Sequence, residues 1–95
     1  MTTYKYPYFD AHCDTISAGR ELRKNGGHID LERGARFPRY AQLFAIFADS
    51  KKTADPLSEC LRQHGRFLTE TGKNSDTVMV CRTGKDLDIA EKSGK

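Results

Sequence analysis

An α/β fold with parallel strand pairing is what this sequence predicts, on three observations. Tyr8 to Ile16 alternates like a strand, Ala41 to Ala48 is a continuous apolar run, and at least two helical segments follow them. The resulting order is strand, connection, strand, helix, short strand, helix, and strands that alternate with helices pair in parallel across one domain.

The first segment, Tyr-Phe-Asp-Ala-His-Cys-Asp-Thr-Ile, divides into two faces because strand side chains alternate with a period of two. Phe9, Ala11 and Cys13 make an apolar face; Asp10, His12 and Asp14 make a row of carboxylate and imidazole groups. That division suits the inner wall of a barrel at its catalytic mouth better than an ordinary amphipathic sheet. Residues 16–25 have weak helical character that stops at Gly26-Gly27, and Asp30 is placed to cap a short helical turn. Arg33 to Tyr40 is irregular around Pro38.

In the second segment, Ala41-Gln-Leu-Phe-Ala-Ile-Phe-Ala-Asp49, seven of the first eight residues are apolar, without alternation. A strand covered on both faces has that pattern, and eight residues are few for the competing buried helix. Asp55-Pro56 opens the clearest helix, with Asp as N-cap and Pro at the first helical position. Leu57, Cys60, Leu61, His64, Phe67 and Leu68 then recur at helical spacing, a stripe expected to face a core, and Gly72 ends the helix. Val78-Met-Val-Cys81 reads as a short strand. Thr83-Gly-Lys-Asp86 resembles a capping box opening a last helix through Leu87, Ile89 and Ala90.

Composition limits what these elements support. Ninety-five residues with 37% hydrophobic, 31% charged and no Trp form one small domain with a modest core. The net charge of +3 comes from 16 basic and 13 acidic residues, scattered apart from Lys51-Lys52, which indicates a solvated surface and no nucleic-acid partner. Cys13, Cys60 and Cys81 are odd in number and widely spaced, so reduced thiols are expected. The opening stretch lacks the apolar region of a signal peptide, and no apolar run approaches the ~20 residues of a membrane span. A cytoplasmic protein without a membrane partner is the expectation.

His12-x-Asp14 carries the chemistry. Ligands two apart on an extended chain project side by side, and an imidazole nitrogen with a carboxylate oxygen suits zinc at about 2.0–2.2 Å. A bare His-x-Asp is a weak signal; its place early on a strand, after Phe-Asp-Ala and before Thr, strengthens it. Asp10 on the same face is placed to accept from His12 behind the metal, or is a strand-end carboxylate. Asp49, at the C-terminal end of the second strand, is where barrel enzymes put substrate contacts. Cys13 points away from the ligands and reads as packing. His28 and His64 read as structural.

Phe9-Asp-Ala-His-Cys-Asp-Thr15 resembles the opening motif of the membrane (renal) dipeptidase family of metallopeptidases. His28-Ile-Asp-Leu31 is similar to that family's His-(Val/Ile)-Asp-Leu segment, and Ala41-Gln-Leu-Phe44 to its second barrel strand. The Asp55–Gly72 helix, Cys81-Arg-Thr83 and Gly94-Lys95 fall in family order, so the similarity runs over nearly the whole chain. Phe37-Pro-Arg-Tyr40 departs, standing where relatives carry a Gly-rich turn. The resemblance implies the N-terminal portion of a (β/α)8 TIM-type barrel that hydrolyses dipeptides with two zinc ions, His12 and Asp14 being its first two metal ligands. The family's bridging Glu, two later His ligands and a distal Asp match nothing here. A barrel of this kind takes ~250 residues, so the chain alone is expected to be inactive.

Two rivals stand beside this reading. One is a non-catalytic interaction or oligomeric module from the same family, self-associating through open strand edges. The other is a different metal-dependent barrel hydrolase, against which Asp14 argues, since those usually carry His-x-His.

Overall fold

Residues 2–95 are described in a computed structural model. Parallel pairing joins β1 (Tyr8–Asp10) to β2 (Tyr40–Gln42), with Tyr8 opposite Tyr40, Phe9 opposite Ala41 and Asp10 opposite Gln42. The crossover between them contains α1 (Leu31–Gly34); α2 (Pro56–Lys73) and α3 (Gly84–Lys92) follow. Among the described residues this is a two-stranded α/β arrangement with three helices. None of those helices is long and apolar enough to cross a membrane.

All three helices begin on the side chain that local chemistry requires. Asp30, Asp55 and Thr83 accept from the backbone amides of Arg33 (2.9 Å), Ser58 (3.1 Å) and Asp86 (3.1 Å), each satisfying a donor that the first turn leaves free. Asp86 reaches back to the amide of Arg82, one residue before the cap, at 2.9 Å.

Three segments differ from expectation. Residues 16–25 are turns and bends, not a helix. Gly19 has φ +72, and Gly19 and Arg20 donate back to Ile16 and Thr15. The Asn25 amide donates to the carbonyls of Glu21 (2.7 Å) and Ile29 (2.9 Å), a side-chain alternative to helical bonding. In the second apolar segment only 40–42 is strand. Beyond it, Leu43 N donates to Asp10 O and Ala45 N to Cys13 O (both 2.9 Å), so residues 10–13 oppose residues 43–45. That is one extra residue on the first segment, as in a β-bulge. Val78–Cys81 is not assigned as strand; the described sheet contains only β1 and β2.

Ile16 and Leu22 are the most deeply buried side chains, with Cys13 and Ala90 the other buried apolar ones. At the N-terminal end of the strands Phe37 stacks on Tyr4 (4.6 Å between centroids) and Tyr8 (4.8 Å).

Polar groups do much of the joining. α2 turns Gln63 and Glu70 inward, and Asn74 at its C-cap is buried with them. Gln63 exchanges two hydrogen bonds with the backbone of Phe47, as a paired strand would. Glu70 accepts from Leu22 N at 2.7 Å and pairs with Lys73 at 3.0 Å. Arg23 donates to Asn74 and to both Asp76 oxygens. The stripe expected to face a core instead leaves Leu57, Leu61 and Leu68 exposed by 69%, 62% and 45%. His64 is exposed too, while Cys60 and Phe67 are half-buried and Phe67 meets Phe44 at 5.6 Å.

Two predictions follow from this packing. A Cβ on Gly34 would fall inside the van der Waals shell of the Tyr40 ring, whose hydroxyl is tied to Gln42. Gly34→Ala is therefore expected to lower stability by about 1–3 kcal/mol, read from urea denaturation; an unchanged midpoint contradicts the tight approach. Burial raises the carboxyls of Asp30 and Glu70, but hydrogen bonds outweigh it, from Arg33 and Asn25 onto Asp30 and from Leu22 and Lys73 onto Glu70, and leave both below their ordinary values. Their stabilisation is then complete above the unfolded values of roughly 4 and is lost as pH falls through the folded ones. The urea midpoint should drop between pH 6 and pH 3. An Asp30→Asn, Glu70→Gln double variant should start lower and fall less.

Candidate functional site

The chain leaves β1 at Asp10 and passes through the bulge before it reaches His12. Regular alternation breaks at exposed Ala11 and resumes over 12–15, where His12 and Asp14 face solvent while Cys13 and Thr15 are buried. The bulge thus leaves Cys13 and Phe9 in different settings, one inside and one exposed, although the two-residue period alone would put them on one face.

His12 Nε2 and Asp14 Oδ1 lie 3.1 Å apart, with the two side chains 67% and 66% exposed. An imidazole nitrogen and a carboxylate oxygen that already touch are a donor set zinc accepts. Asp10 does not reach the imidazole; its Oδ1 accepts from the backbone N of His12 at 3.2 Å, fixing the main chain that carries the ring. Ser17 Oγ and Ala18 N both donate to Asp14 O, at 3.1 and 2.8 Å, holding the far side of the pair. The pair is thus held through its backbone on both sides.

Asp49 has a different setting. Its Oδ1 accepts from Lys51 N at 2.9 Å, and its carbonyl accepts from Lys52 and Thr53, so it organises the turn after the second apolar segment. It also lines an open cleft of about 450 Å³, shared with Ser17, Ala18, Phe47, Glu59 and Gln63. Since Ser17 and Ala18 close the turn on Asp14, the cleft begins one turn along the chain from the His12–Asp14 pair. Glu59, on the α2 side of the cleft, is held at about 2 by hydrogen bonds from Arg62 and Gln63.

The remaining candidates lie outside this region. His28 is exposed, and the exposed His64 stacks on Phe67 at 6.5 Å. All three cysteines are free thiols, Cys13 buried and the other two half-buried, and burial pushes the Cys81 thiol up. Among the described residues no group of three or more His, Cys, Asp and Glu side chains gathers where one ion could be held. His12 and Asp14 therefore fit part of one coordination sphere and do not by themselves hold two ions. Gln63 and Glu59 were missed as cleft residues; their i, i+4 spacing opposite the leucines was the available signal.

Compared with models of known protein families, with curated proteins and with solved structures, the chain matches none.

Zinc titration by calorimetry tests the donor pair. Binding is expected to be weak, with a dissociation constant on the order of 10 μM or above, because two ligands supply only half of a tetrahedral set. His12→Ala and Asp14→Ala should each remove it, and Asp10→Asn should weaken it less than either. Retention of binding in His12→Ala would place the metal elsewhere.

Proposed function

We propose that the chain is the N-terminal portion of a zinc-dependent dipeptidase with a (β/α)8 barrel, contributing the first two ligands of a binuclear site. The observation that carries the reading is the side-by-side placement of His12 and Asp14, exposed just beyond the C-terminal end of a parallel strand. Barrel enzymes build their chemistry at that end of their strands, and the pair falls inside the motif that resembles the dipeptidase family. Exposed apolar side chains agree with it: Phe9 on β1 and Leu43 and Phe47 beyond β2 face solvent, as they would where the rest of a barrel is to pack on them.

Zinc bound there would polarise the scissile carbonyl and make a water nucleophilic near neutral pH. His12 would supply an imidazole nitrogen, and Asp14 a carboxylate oxygen that offsets the ion's charge. Asp10 fixes the main chain beneath His12, and Ser17 and Ala18 fix the main chain at Asp14. Asp49 borders the neighbouring cleft, where its carboxylate suits the ammonium end of a dipeptide.

The 95-residue chain by itself is expected to hydrolyse no dipeptide, with or without added zinc, since the donors for a second ion are not gathered among the described residues. Mass-verified protein assayed against a panel of L,L- and L,D-dipeptides checks this. Zinc-dependent turnover lost in His12→Ala would establish catalysis by this chain and refute the partial site. Failure of His12→Ala to alter zinc binding would remove the dipeptidase reading itself.

A further inference from the structure

We infer that Gln42 is a positioning residue for the His12–Asp14 donor pair, holding the carbonyl from which the bulge beneath His12 begins. The inference rests on the proposed reading of that pair as zinc donors and adds to it a residue of the neighbouring strand.

The first observation is a polar side chain out of place. Gln42 is the one polar residue in the run Ala41 to Ala48, where an amide costs stability unless it is hydrogen-bonded. It is half-buried, and the parallel register sets it opposite Asp10, at the last rung of the sheet. Its Nε2 donates to Leu43 O at 3.0 Å and to Asp10 O at 3.4 Å, and its Oε1 accepts from the Tyr40 hydroxyl. Carbonyls only accept, so the amide nitrogen must face those two and the amide oxygen must face Tyr40. One orientation satisfies all three partners. The Tyr40 ring lies so close to Gly34 that a Cβ there would overlap it, which fixes where the hydroxyl points.

The second observation is where these bonds fall. Asp10 O also accepts from Leu43 N at 2.9 Å, so this carbonyl takes donors from two adjoining residues of the second segment. The next backbone bond across is Ala45 N to Cys13 O, also 2.9 Å. Between those anchors, Ala11 and His12 receive no backbone bond from the second segment. His12 N is taken by Asp10 Oδ1 at 3.2 Å. Asp10 therefore joins two ends: Gln42 and Leu43 fix its carbonyl, and its carboxylate holds the residue that bears the imidazole. Tyr40, Gln42, Asp10 and His12 N form one continuous series of bonds from β2 to the metal donor. Asp14 is held separately, by Ser17 and Ala18 on its carbonyl. Loss of the Gln42 donors frees the Asp10–Ala11 peptide to turn, and it shifts His12 while Asp14 stays.

Gln42→Met tests the inference. Methionine keeps the length, brings no charge toward an ion and suits an apolar run, and Asp10 O keeps Leu43 N, so the fold should hold. Calorimetric titration should show the zinc dissociation constant raised about tenfold, the lower end of what a lost supporting partner costs a metal site. Exchange of the His12 amide with water, read by NMR without metal, should quicken by about threefold or more as local opening becomes easier. Glu70→Gln, which loosens α2 but touches none of these bonds, should leave both readouts unchanged. Tyr40→Phe keeps the ring and removes only the hydroxyl; it should move both in the same direction by a smaller factor, and it serves as the second variant should Gln42→Met lose its fold. Wild-type binding through His12 and Asp14 with affinity unchanged in the folded variants overturns the positioning role and leaves the donor pair standing. So does an equal loss of affinity in Glu70→Gln, or a loss with His12 exchange unchanged, which denies the route through Asp10. A wild-type chain that binds no zinc, or binds it no better than His12→Ala, removes the donor pair and the positioning role with it.

Discussion

Glu70 accepts the Leu22 amide at 2.7 Å from a side chain nearly closed to solvent. Leu22 is one of the two most buried residues of the chain, and it lies in a stretch without regular secondary structure. A buried amide in such a stretch needs an acceptor, and α2 supplies it from 48 residues away. Arg23 then grips Asn74 and Asp76 beyond the end of the helix, and Arg66 donates to the carbonyl of Arg20. These bonds determine which way α2 faces. Once Gln63, Glu70 and Asn74 are committed inward, the leucines on the opposite side have nowhere to go but out.

That commitment separates what the sequence made legible from what it did not. The helix starts were legible because a cap is a local event: Asp30, Asp55 and Thr83 satisfy amides three residues away. Periodicity also located α2 and its stripe, but it could not say which side would be buried. Apolar residues usually win that contest; here a buried amide and the backbone of Phe47 claimed the polar side. Strand extent was poorly legible for a related reason. Ala41 to Ala48 has the composition of a buried strand, yet a strand exists only where a neighbour completes its ladder, and that information lies elsewhere in the chain.

The candidate site was legible to a similar degree. The exposure of His12 and Asp14 together, with Cys13 turned in between them, follows from two-residue alternation. The bulge that ends the alternation at Asp10 does not follow, because inserting one residue into a pair depends on the partner strand's register. Asp10 consequently serves the His12 backbone and not its ring. Asp49 lies at the end of its segment as position alone suggested, while its role in the turn comes from Lys51 to Thr53, whose amides converge on it.

The parallel register also has a consequence in time. Residues that bond across the sheet, such as Asp10 and Gln42, are 32 positions apart, and no tight hairpin can close a parallel pair. At about 5–20 residues per second of synthesis, β1 would leave the ribosome some seconds before its partner. During that interval Tyr8, Phe9 and the His12-Cys13-Asp14 segment have no sheet to join. That segment thus waits for its native neighbours, and its apolar residues and thiol are open to chaperones or oxidants until β2 arrives.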